Sequence, residues 1–221
     1  MELLNVLNAR AAWLFDVNEL NPHGKSIFPE IFEWLEDEYH FVKAPKSITD
    51  VDETKGYSFT QGTFQAKEEI FVTVELNIYT DGLVANSWSS TRNTEAFLEN
   101  VLKSAADEFS LTFRPDIVTR KIYTSELNVK SDRQLAGINP ALAQLAERLT
   151  ELLPGNLKPA FEVGGVTISP VQAMAPQMLS PFRIERKLNT SPEEQKYYSK
   201  APLHTDSHLE LLSWFEQNVM T

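Results

Sequence analysis

The clearest pattern of hydrophobic and polar positions lies between residues 69 and 109. Residues 70–79 alternate between apolar and other side chains, which is the period of a half-buried strand. Asp81-Gly82 has the composition of a two-residue hairpin turn, and residues 83–90 then form the returning strand. From Thr94 onward, apolar residues recur at helical spacing at Phe97, Leu98, Val101, Leu102, Ala105 and Phe109. The segment therefore predicts an antiparallel hairpin covered by a helix.

Small residues on the returning strand explain how that helix approaches the sheet. With Asp81-Gly82 as the turn, Ala85, Ser87 and Ser89 lie opposite Ile78, Leu76 and Val74. We expect these short side chains to let the helix pack closely, a structural role rather than a catalytic one.

The rest of the chain predicts further short strands and single helices. Residues 2–17 fit a helical stripe or a buried strand equally well, because short apolar runs have no decisive period. Asn139 and Pro140 predict a helix start as cap and first residue. We expect its leucines to line the buried side of that helix: Leu142, Leu145, Leu149 and Leu152. Other predicted helices span 26–39 and 205–219, and other predicted strands 40–44, 57–65, 117–129, 161–168 and 182–188.

These elements predict an α+β fold, with a mainly antiparallel sheet of six or more strands packed with four or five helices. We expect a single domain over residues 1–221, with 1–113 and 114–221 as its two halves, because no flexible linker separates them. Residues 94–99 also resemble residues 205–210. Either an internal duplication or shared helix-capping chemistry explains that resemblance.

The charge of the chain is strongly asymmetric. Residues 1–110 hold 19 acidic against 8 basic residues, a net of −11, whereas residues 111–221 hold 12 of each. Such an excess makes binding to nucleic-acid phosphates unlikely. The acidic excess is typical of a surface that keeps a protein soluble. The alternatives are an acidic surface that binds a basic partner, and a DNA mimic.

Several classes of protein are disfavoured by what the sequence lacks. The 221 residues include no cysteine, which excludes disulfides, thiol catalysis and cysteine-ligated metals. No apolar run has the length of a membrane span, and the first residues do not resemble a signal peptide. We expect a cytoplasmic protein that does not contact membranes.

Candidates for chemistry are weak. Asp16, beside an apolar segment, and His23, on a turn, are the candidate catalytic residues. His204 and His208 have the i, i+4 spacing of a metal pair, but His204 falls outside the helix if Thr205 caps it. No phosphate-binding loop or nucleophile motif is present, so we expect no cofactor.

A candidate binding surface lies in the second half of the chain. An uncharged segment with Met174, Met178 and Leu179 precedes a basic run with Arg183, Arg186 and Lys187. Flexible apolar side chains beside a charged rim are typical of a protein contact surface. Alternatively, the alternating charges form cross-strand pairs on a solvent-exposed face of the sheet. Trp214 is a further candidate: it lies off the main apolar stripe of the last helix, so that helix is either buried on two sides or used in an interface.

Together these features favour a non-enzymatic interaction or assembly subunit, which self-associates or joins a larger cytosolic complex. One alternative is a cytosolic hydrolase whose Asp, His and Arg residues are distant in sequence. The other is an acidic DNA mimic or a phage- or defence-related protein.

Overall fold

A computed structural model gives the architecture of the protein and describes residues 1–52, 54, 56–155, 159–171 and 179–220. Within these residues lie eight strands and four α-helices, which confirms the predicted α+β fold. In chain order they are β1 (Glu2–Leu14), α1 (Glu30–Tyr39), β2 (Tyr57–Lys67), β3 (Ile70–Tyr79), β4 (Gly82–Ser87), α2 (Thr91–Phe109), β5 (Arg120–Lys130), α3 (Pro140–Leu152), β6 (Gly165–Ile168), β7 (Phe182–Arg186), β8 (Lys196–Ala201) and α4 (Thr205–Asn218).

The order of elements repeats along the chain. β1 to α2 and β5 to α4 both run strand, helix, three strands, helix. The sheet order is β2-β3-β4-β1-β5-β8-β7-β6, so the sequence of strands outward from β1 matches the sequence outward from β5. This repetition supports internal duplication. It pairs Thr91 with Thr205, the first residues of α2 and α4, and so corrects the alignment of Thr94 with Thr205 by one turn.

The chain divides into two compact units. The α1–α2 unit comprises Leu7–Ser125 with Leu203–Thr205, and the α3–α4 unit comprises Met1–Val6, Glu126–Pro202 and Asp206–Thr221. The single-domain expectation stays a prediction. Because β1 and β5 each contribute residues to both units, the boundary does not fall at a linker between the predicted halves.

β1 resolves the ambiguous N-terminal pattern as a strand. Ala9, Ala11 and Trp13 are buried and lie two residues apart, so they share one face of the strand. The alanines leave room for α2, whose Thr94 hydroxyl donates to the carbonyl of Ala9 at 2.9 Å. α2 begins at Thr91 rather than Thr94, because Ser90 is its N-cap.

The β3–β4 hairpin is present with a different turn from the predicted one. Leu76 pairs with Ala85 and Tyr79 with Gly82, so Thr80 and Asp81 form the turn. A two-residue offset keeps the same side chains facing the core, which is why the hydrophobic pattern does not detect it. Gly82 is needed for close approach, since a Cβ there would lie 2.2 Å from the Trp13 carbonyl oxygen.

An aromatic core fills the α1–α2 unit. Phe32 of α1 lies 5.6 Å from Phe59 of β2, measured between ring centroids, and the buried Tyr39 packs edge-to-face on Phe97 of α2. The Tyr39 hydroxyl donates to Asn100 at 2.8 Å. α1 is therefore fixed on the sheet by both apolar and polar contacts.

The α3–α4 unit has its own core of buried residues from β5, β7, β8 and α4: Leu127, Val129, Ile184, Tyr197, Leu212 and Phe215. Two predicted strands are shorter than expected. Residues 40–44 form only a bridge from Lys43 to Thr60, and β6 covers the last four residues of 161–168. In the described part of the chain, no helix has the length and apolarity to cross a membrane.

Candidate functional site

α3 begins as the sequence predicts. The Asn139 side chain accepts hydrogen bonds from the backbone N–H groups of Ala141 and Leu142, at 2.9 and 3.3 Å. Pro140 occupies the first helical position, where a missing N–H costs nothing. The helix is therefore well specified locally and does not depend on burial to begin.

The leucines of α3 are exposed, and the prediction that they line its buried side is wrong. Between 43 and 66% of the surface of each is exposed, and α3 has no buried residue although all of it is described. The half-buried positions lie on a neighbouring face of the helix: Ala143, Ala146 and Thr150. We call the exposed set the leucine face: Leu142, Leu145, Leu149 and Leu152.

The spacing of the leucine face has a clear chemical meaning. Its members are three, four and three residues apart, the spacing of the a and d positions over two heptads. Such a seam packs knobs into holes against another apolar helix. Since amphipathicity alone does not say what covers the stripe, sequence reasoning found the residues and assigned them to the wrong environment.

Two other exposed apolar residues of the α3–α4 unit match predicted binding residues. Trp214 of α4 is 57% exposed and Leu179 is 39% exposed. The prediction for Met174 and Met178 falls outside the described residues. Single exposed apolar side chains are normal on protein surfaces, so these two residues do not by themselves mark a contact surface.

The two arginines of the predicted basic run are paired with carboxylates. Arg183 forms an ion pair with Glu185 on its own strand, and Arg186 forms one with Glu162. Lys187 is half-buried, and its backbone N–H donates to the Lys196 carbonyl at 2.9 Å. These ion pairs are not the cross-strand pairs expected from the alternating charges, because Glu185 lies on the same strand as Arg183 and Glu162 lies outside the strands.

Glu126 of β5 gathers two further partners in the same unit. Lys200 Nζ lies 2.9 Å from one carboxylate oxygen, and the Tyr198 hydroxyl donates to the other at 2.9 Å. Burial, and then the hydrogen bond to Glu126, raise the pKa of Tyr198. The tyrosine thus stays protonated and donates its hydroxyl hydrogen to Glu126.

The two histidines of the predicted metal pair have separate partners. His208 is fully buried, and its Nε2 lies 2.8 Å from Ser199 Oγ. His204 precedes α4 and lies against Tyr123 with ring centroids 3.7 Å apart, while its Nδ1 is 3.3 Å from Thr91 Oγ1. Among the residues that the structure describes, no group of three His, Asp or Glu could hold a metal ion.

The candidate catalytic residues are both exposed. Asp16 accepts hydrogen bonds from the backbone and side-chain nitrogens of Asn18, both at 2.9 Å, and so caps the 3₁₀ turn Val17–Leu20. His23 lies on the following turn. An apolar cavity adjoins this segment, and neither Asp16 nor His23 lines it.

A polar network in the α1–α2 unit was missed by sequence reasoning, because its members come from distant segments. Glu95 of α2 accepts hydrogen bonds from Lys121 and Tyr123 of β5, both at 2.8 Å. Burial raises the pKa of Glu95, but these hydrogen bonds outweigh it and lower the pKa overall. Lys121 Nζ also lies 3.9 Å from the centre of the Trp13 ring. These groups satisfy one another, which is the behaviour of a structural network.

No family model matches this sequence. No curated protein matches it either. Among solved structures, the fold is similar to that of Methanococcus jannaschii TBP, with a TM-score of 0.42 and 11% sequence identity over 99% of this chain and 96% of that one. A likeness of this size carries no information about function.

Proposed function

We propose that this protein is a non-enzymatic assembly subunit that self-associates through the leucine face of α3. The observation that supports the proposal is the exposure of four leucines at coiled-coil spacing on a well-capped helix. A row of identical side chains is complementary to itself, as a two-fold symmetric interface requires. A second copy of the chain is therefore the partner that we propose for this surface.

The expected association is weak. The exposed surface of the four leucines equals that of about two full leucine side chains per copy. Burying this surface on both copies would contribute roughly 6–12 kcal/mol of favourable free energy to dimerisation. Association itself costs about 4–15 kcal/mol in lost freedom. Two heptads are also fewer than the three or four that a stable coiled coil needs. We therefore expect a concentration-dependent dimer rather than an obligate one.

Sedimentation equilibrium of the purified chain tests this proposal. The wild-type mass should rise from 25.1 kDa toward twice that value as the concentration increases. Leu145→Lys places a charge in the seam and should abolish the rise. Gln144→Lys is the matched control, because it adds the same charge at the adjacent exposed position outside the leucine face. A wild-type monomer at all concentrations, or equal effects of the two variants, would contradict the proposal.

Salt dependence separates this contact from an electrostatic one. An apolar seam should hold as well at 0.5 M as at 0.05 M salt, whereas a contact through Arg183 and Arg186 should weaken. Their pairing with Glu185 and Glu162 favours the apolar surface. We also propose that the protein works in the cytoplasm and that its acidic excess keeps it from binding nucleic acid.

A further inference from the structure

The α1–α2 unit contains an apolar cavity of about 190 Å³. Side chains from the 3₁₀ turn Val17–Leu20, the segment before α1, α1 itself, α2 and the β3–β4 hairpin line it. This cavity is larger than the apolar cavity of about 150 Å³ that, in an engineered lysozyme, stays dry and binds benzene. The space is therefore enough for a small organic molecule.

Water is a poor occupant of this cavity. A buried water needs two to four polar partners. Asn21 lines the cavity, but its side-chain amide nitrogen donates to the Lys25 carbonyl at 2.8 Å and its oxygen accepts from the Lys25 N–H at 3.0 Å. The side-chain amide nitrogen of Asn18 donates to Asp16 at 2.9 Å. The remaining lining side chains are apolar, so the cavity favours an apolar occupant.

The lining also defines the chemistry of that occupant. No charged residue is among those that the structure places around the cavity, so a buried ionic group would have no counter-charge. Phe32 provides a fully buried aromatic edge, and Phe28 is 41% exposed beside it, with ring centroids 4.9 Å apart. Phe28 thus combines contact with the cavity and contact with solvent, which places it at the entrance.

We propose that this cavity binds a small uncharged apolar molecule, of the size of a single aromatic ring with or without a short alkyl chain. The site is independent of the leucine face, because every residue that lines it belongs to the α1–α2 unit. Failure of one proposal therefore leaves the other unaffected.

Binding can be tested with benzene, n-butylbenzene and sodium benzoate. We expect the two hydrocarbons to shift the methyl NMR signals of Ile27 and Ile31 saturably and to stabilise the fold. At ten times the Kd, the unfolding equilibrium constant should fall about elevenfold. Benzoate should do neither, since its carboxylate finds no partner. Absence of saturable methyl shifts with both hydrocarbons would overturn the proposal.

Two alanines of α2 provide matched variants. Ala105 lines the cavity, whereas the adjacent Ala106 does not. Ala105→Leu fills the space and should abolish hydrocarbon binding, while Ala106→Leu should keep it. If Ala105→Leu does not fold, Leu111→Ala enlarges the same cavity and should tighten n-butylbenzene relative to benzene. Binding unchanged by these cavity variants would place the hydrocarbons elsewhere and overturn the assignment.

Discussion

At the scale of single residues, the protonation of His208 is fixed by its neighbours. Ser199 donates its hydroxyl proton to the Arg183 carbonyl at 2.8 Å, so the serine oxygen can only accept from the imidazole. His208 Nε2 therefore carries a proton. Burial lowers the pKa of His208 to about 4, so the ring is neutral at pH 7. The Ser–His pair is structural, because both residues are fully buried.

This burial makes stability depend on pH. An unfolded histidine takes up a proton near pH 6.5 and the folded one only near pH 4, so stability is complete above pH 6.5 and falls with decreasing pH until about pH 4. Between pH 7 and 5 we expect the wild type to lose about 2 kcal/mol through this group. His208→Gln keeps a nitrogen donor but does not titrate. Its unfolding free energy, measured with urea, should therefore fall by about 2 kcal/mol less between pH 7 and pH 5 than that of the wild type. Parallel losses would contradict the assignment.

Thr91 and Thr205 cap each other within the α1–α2 unit. Each backbone N–H donates to the other's hydroxyl, at 3.0 Å to Thr205 and 2.9 Å to Thr91. Thr91→Val removes the hydroxyl that accepts from the buried N–H of Thr205. We therefore expect the unfolding free energy to fall by about 1–3 kcal/mol. Thr119→Val removes only an exposed hydroxyl bond to Leu14 and should cost less than about 0.5 kcal/mol. A Thr91→Val/Thr205→Val double variant should cost less than the sum of the single changes, because each single change already removes the 3.3 Å contact between the two hydroxyls.

At the scale of elements, α1 and α3 hold equivalent places in the repeated order but differ in burial. Leu35 of α1 is 1% exposed, whereas Leu145 of α3 is 63% exposed. Leu35→Ala should therefore lower the unfolding free energy by about 2–5 kcal/mol. Leu145→Ala should change it by less than about 0.5 kcal/mol in dilute, monomeric protein. A large loss for Leu145→Ala, measured by urea unfolding, would mean that the chain itself covers the leucine face.

The elements differ in how far sequence reasoning could reach. The β3–β4 hairpin and the body of α2 were predictable because their periodicity is local, although α2 begins at Thr91 rather than at the expected Thr94. The turn was misplaced by one residue and the register by two, since such an offset leaves every apolar side chain on the same face.

The exposure of the leucine face could not be predicted from the sequence. A stripe of leucines has the same pattern whether a sheet, a second copy or solvent lies against it, so only the three-dimensional structure could show its exposure.

At the scale of the whole molecule, the two repeats share an element order without sharing a charge. The acidic excess lies entirely in residues 1–110, yet the same strand and helix order occurs in the neutral remainder. The fold therefore does not require the charge. A solubilising role explains a net charge of −11, and it is the interpretation that needs no additional partner.

The same charge predicts how the chain behaves toward nucleic acid. A non-specific DNA binder releases counterions from phosphates through its lysines and arginines and binds with a Kd of roughly 10⁻⁴–10⁻⁶ M at physiological salt, more tightly at lower salt. With a pI near 4.9, this chain should repel phosphates most strongly at low salt, where screening is weakest. We therefore expect no anisotropy change when a fluorescent DNA duplex is titrated at 50 mM salt. If the duplex does bind, and the logarithm of the binding constant falls linearly with the logarithm of the salt concentration, the protein has a local basic surface despite its negative net charge.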